Sequence, residues 1–371
     1  MSAAMRQEIA VKHQRVVRFL TEHGLDGVLL TRRCNFCWYT AGAYNHVGLT
    51  GDVGRASLLV TAEGATVLTN NIEAERQRGE GLAGRGIPVA DFPWHDAAGR
   101  AQAFARALAG RKVAADAPLA DVRAAPLPQA FDELRWTLLE VEIERYRRLA
   151  VDVAMVTEVV CRAAKPGNTE YELAGLVQAM LSQRNCLAPL VLVGGERRVT
   201  KYRHPLPTPE KLGKHALLAV GAERDGLIVS CTRLIHFGKP PAELTNRQRA
   251  VAAIDAALID ATRPLAALGD ILACGIAAYA EQGFPEQWRQ HHQGGSCGYQ
   301  SRDVLATPGE PTGARENQAF AWNPSLPGAK SEDTILCTAA GPEILSATGD
   351  WPTIKVEVNG RVYERPAILE L

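Results

Sequence analysis

Leu217-Leu218-Ala219-Val220-Gly221-Ala222-Glu223-Arg224-Asp225-Gly226-Leu227-Ile228-Val229-Ser230-Cys231-Thr232-Arg233 decides the fold. It reads as a β-hairpin, two apolar arms separated by a polar turn at Asp225-Gly226. An Asp-Gly pair between apolar runs is a strong hairpin signal, because a tight hairpin turn needs positive φ at its centre. Side chains alternate across a strand, so Ser230 and Cys231 point to opposite faces.

Working outward, the chain of 371 residues is comfortable for two domains, and 46% hydrophobic content builds full cores. Forty-one basic residues balance 41 acidic ones, so no global field attracts nucleic acid or an anionic membrane. The first residues, Met-Ser-Ala-Ala-Met-Arg-Gln-Glu, hold no apolar signal core, and no apolar run approaches the roughly 20 residues that span a bilayer. The expectation is a soluble cytoplasmic protein with neither nucleic-acid nor membrane partners. Eight cysteines in a chain of this length read as buried thiols, and Cys34-Asn35-Phe36-Cys37 lacks the second pair that a zinc site requires.

Residues 9–23 read as an amphipathic helix stopping before Gly24, followed by a strand at 26–31. Strand signals at 56–60 and 65–69 flank a Glu63-Gly64 turn, and the segment 100–128 suggests a last helix and a linker. This alternation predicts a small α/β domain over 1–134. From Glu142 the positions Ile143, Tyr146, Leu149, Val153, Val156 and Val160 mark a long helix that Lys165-Pro166-Gly167 ends. Thr169 with Glu172 is a capping box opening a shorter helix, and a strand at 189–193 leads to the hairpin.

The pattern then repeats. Thr245 with Gln248 reads as a capping box opening a long helix, Asp270 caps a second, and strands return near 318–322 and 334–338. Two such units predict an internal duplication over 135–371, with curved antiparallel strands inside, helices outside and a groove between the halves.

These markers resemble the creatinase/prolidase/aminopeptidase P/methionine aminopeptidase superfamily. The resemblance is carried by the hairpin, by Ile143 to Arg148, by Lys165-Pro166-Gly167-Asn168-Thr169-Glu170 and by Glu332-Asp333-Thr334-Ile335-Leu336. His23-Gly24-Leu25-Asp26-Gly27-Val28-Leu29-Leu30 extends it to the N-terminal domain. It implies an α/β (α+β) protein: a creatinase-like N-terminal domain, a C-terminal pita-bread domain and a homodimer.

The resemblance also implies five metal-ligand positions, because two neighbouring cations need shared carboxylates to activate a water. They fall on Ala219, Ser230, Gly295, Asn323 and Glu332, of which only Glu332 keeps the ligand type. The expectation is therefore no metal, no cofactor and no conventional metallopeptidase activity. His204, in Tyr202-Arg203-His204-Pro205, resembles the substrate-binding histidine of aminopeptidase P and the acid/base histidine of creatinase; its other reading is a surface loop residue. Arg302 replaces a second groove histidine and Lys330 replaces an arginine. Together they suggest an electropositive pocket for a carboxylate, although a solvated Lys330 is the plainer reading. The candidate binding residues are His204, Arg302, Lys330, Glu332, Ser230 and Asn323, with His204 also the candidate catalytic group. Cys231 is expected to pack outside, Cys297 is not placed beside His204, and His291-His292 lacks the third partner of a ligand set.

Three functions follow. The first is a metal-free pseudoenzyme that binds a peptide or small carboxylate. The second is a metal-independent, creatinase-like hydrolase of a small C–N substrate. The third is an Xaa-Pro dipeptidase with an atypical metal site. Fold alone does not choose among them.

Overall fold

The computed structural model describes residues 2–120 and 122–371. The chain divides into two compact units, Met1–Arg135 and Trp136–Leu371.

In the first unit, α1 (Ser2–His23) begins well before residue 9 and ends at Gly24, whose φ of +58° turns the chain out of the helix. There follow β1 (Gly27–Arg32), α2 (Arg33–Tyr39), β2 (Val53–Thr61), β3 (Gly64–Asn70), α3 (Asn71–Arg76), β4 (Val89–Phe92), α4 (Ala97–Leu108), β5 (Val113–Ala115) and β6 (Ala125–Pro126). The sheet runs β4-β3-β2-β1-β5-β6, antiparallel through β1, β2 and β3 and parallel at its flanks. Leu29, Leu59, Leu68, Phe104 and Val113 form a core on one face. The segment expected as helix and linker thus contributes two short strands as well, too brief to carry a period-2 signal of their own.

The second unit opens with α5 (Glu140–Ala163) and α6 (Glu170–Ser182). Thr169 caps α6 as expected, its Oγ1 accepting from the Glu172 N–H while the Glu172 carboxylate accepts from the Thr169 N–H. Next come β7 (Leu187–Gly195), α7 (Glu196–Val199), β8 (His215–Arg224) and β9 (Leu227–His236). The hairpin turn sits at Asp225 (φ 55°) and Gly226 (φ 81°), the two positive values that a type I′ turn demands. Then follow α8 (Ala242–Ala261), α9 (Leu268–Glu281), β10 (Gly294–Cys297), β11 (Val304–Leu305), β12 (Gln318–Trp322), β13 (Ser325–Leu326), β14 (Ala329–Lys330), β15 (Asp333–Cys337), β16 (Glu343–Ile344), β17 (Thr353–Val358), β18 (Arg361–Pro366) and β19 (Ile368–Glu370).

The expected caps of α8 and α9 are corrected. The first helix starts at Ala242, a turn ahead of Thr245, with Pro241 at its N-cap; the second starts at Leu268, so Asp270 lies inside its first turn.

The strands of this unit form two main sheets, β19-β9-β8-β7 and β11-β10-β12-β15-β16. Helix α5 backs the first through contacts with β8 and β9, and α8 and α9 bury Val251, Ile254, Leu258, Ile271 and Leu272 in a cluster with Phe320, Trp322 and Ile335 of the second. The sheets meet where β9 approaches the start of β15. The Thr232 N–H donates to the Glu332 carbonyl (3.0 Å), and the Ser230 N–H donates to Thr334 Oγ1 (2.8 Å).

Behind this seam lies a buried ionic lattice. Arg233 bonds Glu158 and Asp333, each at 3.0 Å, and Arg365 bonds Asp333 at 2.7 Å and Asp255 at 2.9 Å. Asp333 thus joins two guanidiniums, one on β9 and one on β18. Each buried charge is met by an opposite one, which low-dielectric burial requires. The lattice fixes β15, and with it Glu332 at the head of that strand.

Candidate functional site

A cavity of about 360 Å³ opens at the seam. Its floor comes from facing strands. Ala219 lies opposite Thr232, and Gly221 opposite Ser230, so Ala219 and Ser230 share one face of the hairpin; both line the cavity. Leu190 and Leu192 of β7 add apolar wall. Cys231 is buried on the other face, with Sγ 3.5 Å from Thr157 Oγ1 of α5.

Across the cavity stand Asn323, Lys330, Glu332 and Arg302. Glu332 is 5% exposed, and three donors converge on its carboxylate: Lys330 Nζ at 2.8 Å, Thr232 Oγ1 at 2.6 Å and an Arg302 guanidinium nitrogen at 3.5 Å. Burial alone would raise the Glu332 pKa. The Lys330 and Arg302 charges and the two closer hydrogen bonds outweigh it and hold the carboxyl at about 2. Lys330 is 3% exposed, which corrects the solvated reading: its stem is enclosed and its ammonium meets the carboxylate two residues on.

Two polar atoms on this wall have no hydrogen-bond partner among the described residues. They are Asn323 Oδ1, on a side chain 2% exposed, and Arg302 Nε. A buried acceptor and a donor lining one cavity, both unpaired, are costly in the free protein and suit a ligand that carries both groups.

Gly295 is not among the residues lining the cavity. It lies on β10 between Ala321 of β12 and Leu305 of β11, where a Cβ would stand 2.0 Å from the Val304 carbonyl oxygen. Cys297 is also apart from the histidines. Its thiol sits 3.5 Å from the Tyr146 hydroxyl, and burial pushes its pKa up to about 11.

His204 and His292 complete the rim. His204 comes from the loop ahead of β8. That loop is pinned by the Val193 N–H donating to the Pro205 carbonyl (3.1 Å), and by the Arg203 guanidinium donating to Gln287 Oε1 (2.7 Å). His204 Nε2 lies 2.9 Å from His291 Nε2, and His291 Nδ1 lies 3.0 Å from Ser325 Oγ. Burial, with Lys330 and then His292 as the next contributors, lowers the His291 pKa to about 2; burial followed by Arg302 lowers that of His292 to about 4. His204 is lowered in the same direction, by burial first and Lys330 second. His204 and His292 keep an edge in solvent, yet enough atoms crowd the rings to favour the neutral form. Sequence reasoning missed this grouping, because 87 residues separate His204 from His291 and no local pattern links them.

The profile described as metallopeptidase family M24 matches residues 145–339. The chain belongs to metallopeptidase family M24. An uncharacterized peptidase of Staphylococcus aureus is 23% identical over 223 residues, a match that takes in 58% of this chain and 63% of the length of that relative. Among solved structures, the prolidase from Pyrococcus horikoshii superposes with a TM-score of 0.77 at 19% identity, over 91% of this chain and 98% of that one. The Xaa-Pro dipeptidase from Bacillus anthracis gives 0.78 at 17%, over 98% and 100%. At these identities the likeness establishes the fold, the pita-bread fold of prolidases and aminopeptidase P. The M24 match contains the hairpin, Asn323 and Glu332, so the cavity described above lies in the family's own region.

Proposed function

We propose that this M24 chain has lost the dinuclear metal centre, and that its cavity binds the end of a peptide or a small carboxylate. The observation that carries the reading is the state of Glu332. It is the one carboxylate at the five ligand positions, and it is already bound to Lys330 at 2.8 Å, so an ammonium occupies the place of a cationic partner. Ala219 and Ser230 offer no carboxylate, Asn323 offers an amide, and Gly295 has no room for a side chain. This donor set does not fit two cations that must share bridging carboxylates. One anion against Lys330 and Arg302 leaves the lining one charge positive, which favours a carboxylate, while Asn323 Oδ1 awaits a donor such as a peptide N–H.

The test is calorimetry on chelator-treated protein with Xaa-Pro dipeptides and simple carboxylic acids. Binding that weakens in Arg302→Gln is the expected result, with no hydrolysis when manganese is supplied. Turnover of Xaa-Pro dipeptides that depends on two equivalents of manganese would overturn the reading.

The bond between His204 and His291 favours a second reading, a creatinase-like hydrolase in which the imidazole pair shuttles a proton to a small C–N substrate. Turnover of creatine-like amidines, abolished in His204→Ala while carboxylate binding persists, distinguishes it from the first.

A further inference from the structure

His204 Nε2 and His291 Nε2 lie 2.9 Å apart. Two nitrogen lone pairs do not face one another at that distance, so either a ring proton or a cation must stand between them. The third ring, His292, has its centroid 4.7 Å from that of His291 and 5.8 Å from that of His204. One ligating nitrogen from each of the three lies within 4.8 Å of the others. The His291-His292 pair thus acquires from the fold the third partner that it lacks in sequence.

We propose that His204, His291 and His292 form a mononuclear site for a zinc-class divalent cation, with its fourth position open to the cavity. A tetrahedral zinc bound by imidazole nitrogens at about 2.0–2.1 Å sets them about 3.4 Å apart, close to the contact already made and within reach of side-chain rotation by the two exposed rings. Three imidazoles without a carboxylate suit zinc, cobalt or copper rather than magnesium or calcium.

The surroundings supply the outer contacts that such a site needs. Ser325 Oγ meets Nδ1 of His291, leaving Nε2 to face the cluster. Ser325 is itself held, its N–H donating to the Tyr279 hydroxyl (2.9 Å), which donates in turn to Gln293 Oε1 (2.9 Å). The Arg203–Gln287 bond ties the loop of His204 to the turn that precedes His291. Lys330 and Arg302 are the nearby positive charges that oppose a dication, and both are paired with Glu332. Because His204 and His292 line the cavity and His291 lies behind them, the fourth ligand comes from the cavity side, as water or as the carboxylate of a bound molecule. The site is distinct from the family's five ligand positions and does not rest on the carboxylate-binding reading.

The test is zinc titration by calorimetry of the full chain after chelator treatment, with cobalt substitution read by visible absorption. The expected result is one equivalent per chain and a four-coordinate cobalt spectrum. Affinity should fall at least about tenfold in His204→Ala and in His292→Ala, about tenfold in Ser325→Ala, and not at all in His95→Ala, an exposed control in the other unit. The exposed positions of His204 and His292 keep the variants folded, which thermal melting checks. No binding, or one-equivalent binding that survives His204→Ala with His292→Ala, overturns the site. Carboxylate binding measured separately on chelator-treated protein keeps its own outcome whichever way zinc behaves.

Discussion

Lys330 Nζ and Glu332 Oε2 form a 2.8 Å ion pair in which neither side chain is more than 7% exposed. Two residues apart on either side of Ser331, they close one wall of the cavity. The pair makes the stability of the protein acid-sensitive in a defined window. Folding lowers the Glu332 pKa from 4.5 to about 2, so as pH falls the unfolded chain takes up this proton first. The stabilisation is complete above about 4.5 and is lost as pH falls toward 2, amounting to about 3 kcal/mol in all. In Glu332→Gln the dependence of urea unfolding on pH should flatten over that window. At pH 7 the variant should be about 3–5 kcal/mol less stable, since Lys330 is left buried without its anion. An unchanged slope between pH 5 and pH 3 would show that Glu332 is not held as described.

Gly295 and Gly298 have nearly the same φ, 157° and 158°, and differ in what surrounds them. A Cβ at Gly295 meets the Val304 carbonyl oxygen at 2.0 Å, whereas at Gly298 the nearest atom is a carboxylate oxygen of Asp303 at 3.8 Å. Comparing Gly295→Ala with Gly298→Ala therefore holds φ nearly constant while the contact made by the new Cβ changes. The first should cost more by about 2 kcal/mol or more in urea unfolding. Equal costs would mean that β10 and β11 part easily. A histidine restored at Gly295 would then be accommodated, and the ligand position would be recoverable.

The contrast between such positions and the rest of the chain shows what a sequence can reveal. The hairpin was legible because Asp225-Gly226 states its own backbone requirement, and Thr169 because both halves of its capping box lie within four residues. The start of helix α9 is not legible in the same way, because its cap is distant. The N–H groups of Leu268 and Gly269 donate to the carbonyls of Thr312 and Glu310, so no local side chain is needed and Asp270 is free to lie inside the first turn. The site divides the same way. Arg302, Lys330, Glu332 and Asn323 could be named by their places in recognisable motifs. That Lys330 is enclosed, and that His204 meets His291, depends on chain segments tens of residues apart.

Asp333 receives Arg233 at 3.0 Å and Arg365 at 2.7 Å, and all three side chains are at most 2% exposed. Asp333→Asn removes the shared anion and leaves two guanidiniums facing each other across an amide. Stability should fall by about 3–5 kcal/mol. The seam between the two sheets should loosen with it, because Asp333 follows Glu332, whose carbonyl accepts from Thr232. Hydrogen exchange at the Thr232 and Ser230 amides measures this directly. Faster exchange confined to α8 and α9, with the seam protected, would contradict the role given to Asp333.

Asn323 sets stability against binding. Its Oδ1 is buried without a partner among the described residues, which costs the free protein about 1–3 kcal/mol. Asn323→Leu replaces the amide with an apolar group of similar size and removes that cost. The variant should be more stable by about 1 kcal/mol, or at least no less stable, than the parent. If the unpaired oxygen is there to receive a donor from a bound peptide or amide, the same change should weaken that ligand by about tenfold, a loss of about 1.4 kcal/mol. The two effects run in opposite directions and are read on one variant, by urea unfolding and by calorimetry. A loss of stability would mean that Oδ1 is satisfied in solution. Unchanged affinity would remove Asn323 from the binding wall and leave Arg302 and Lys330 to hold the ligand by charge.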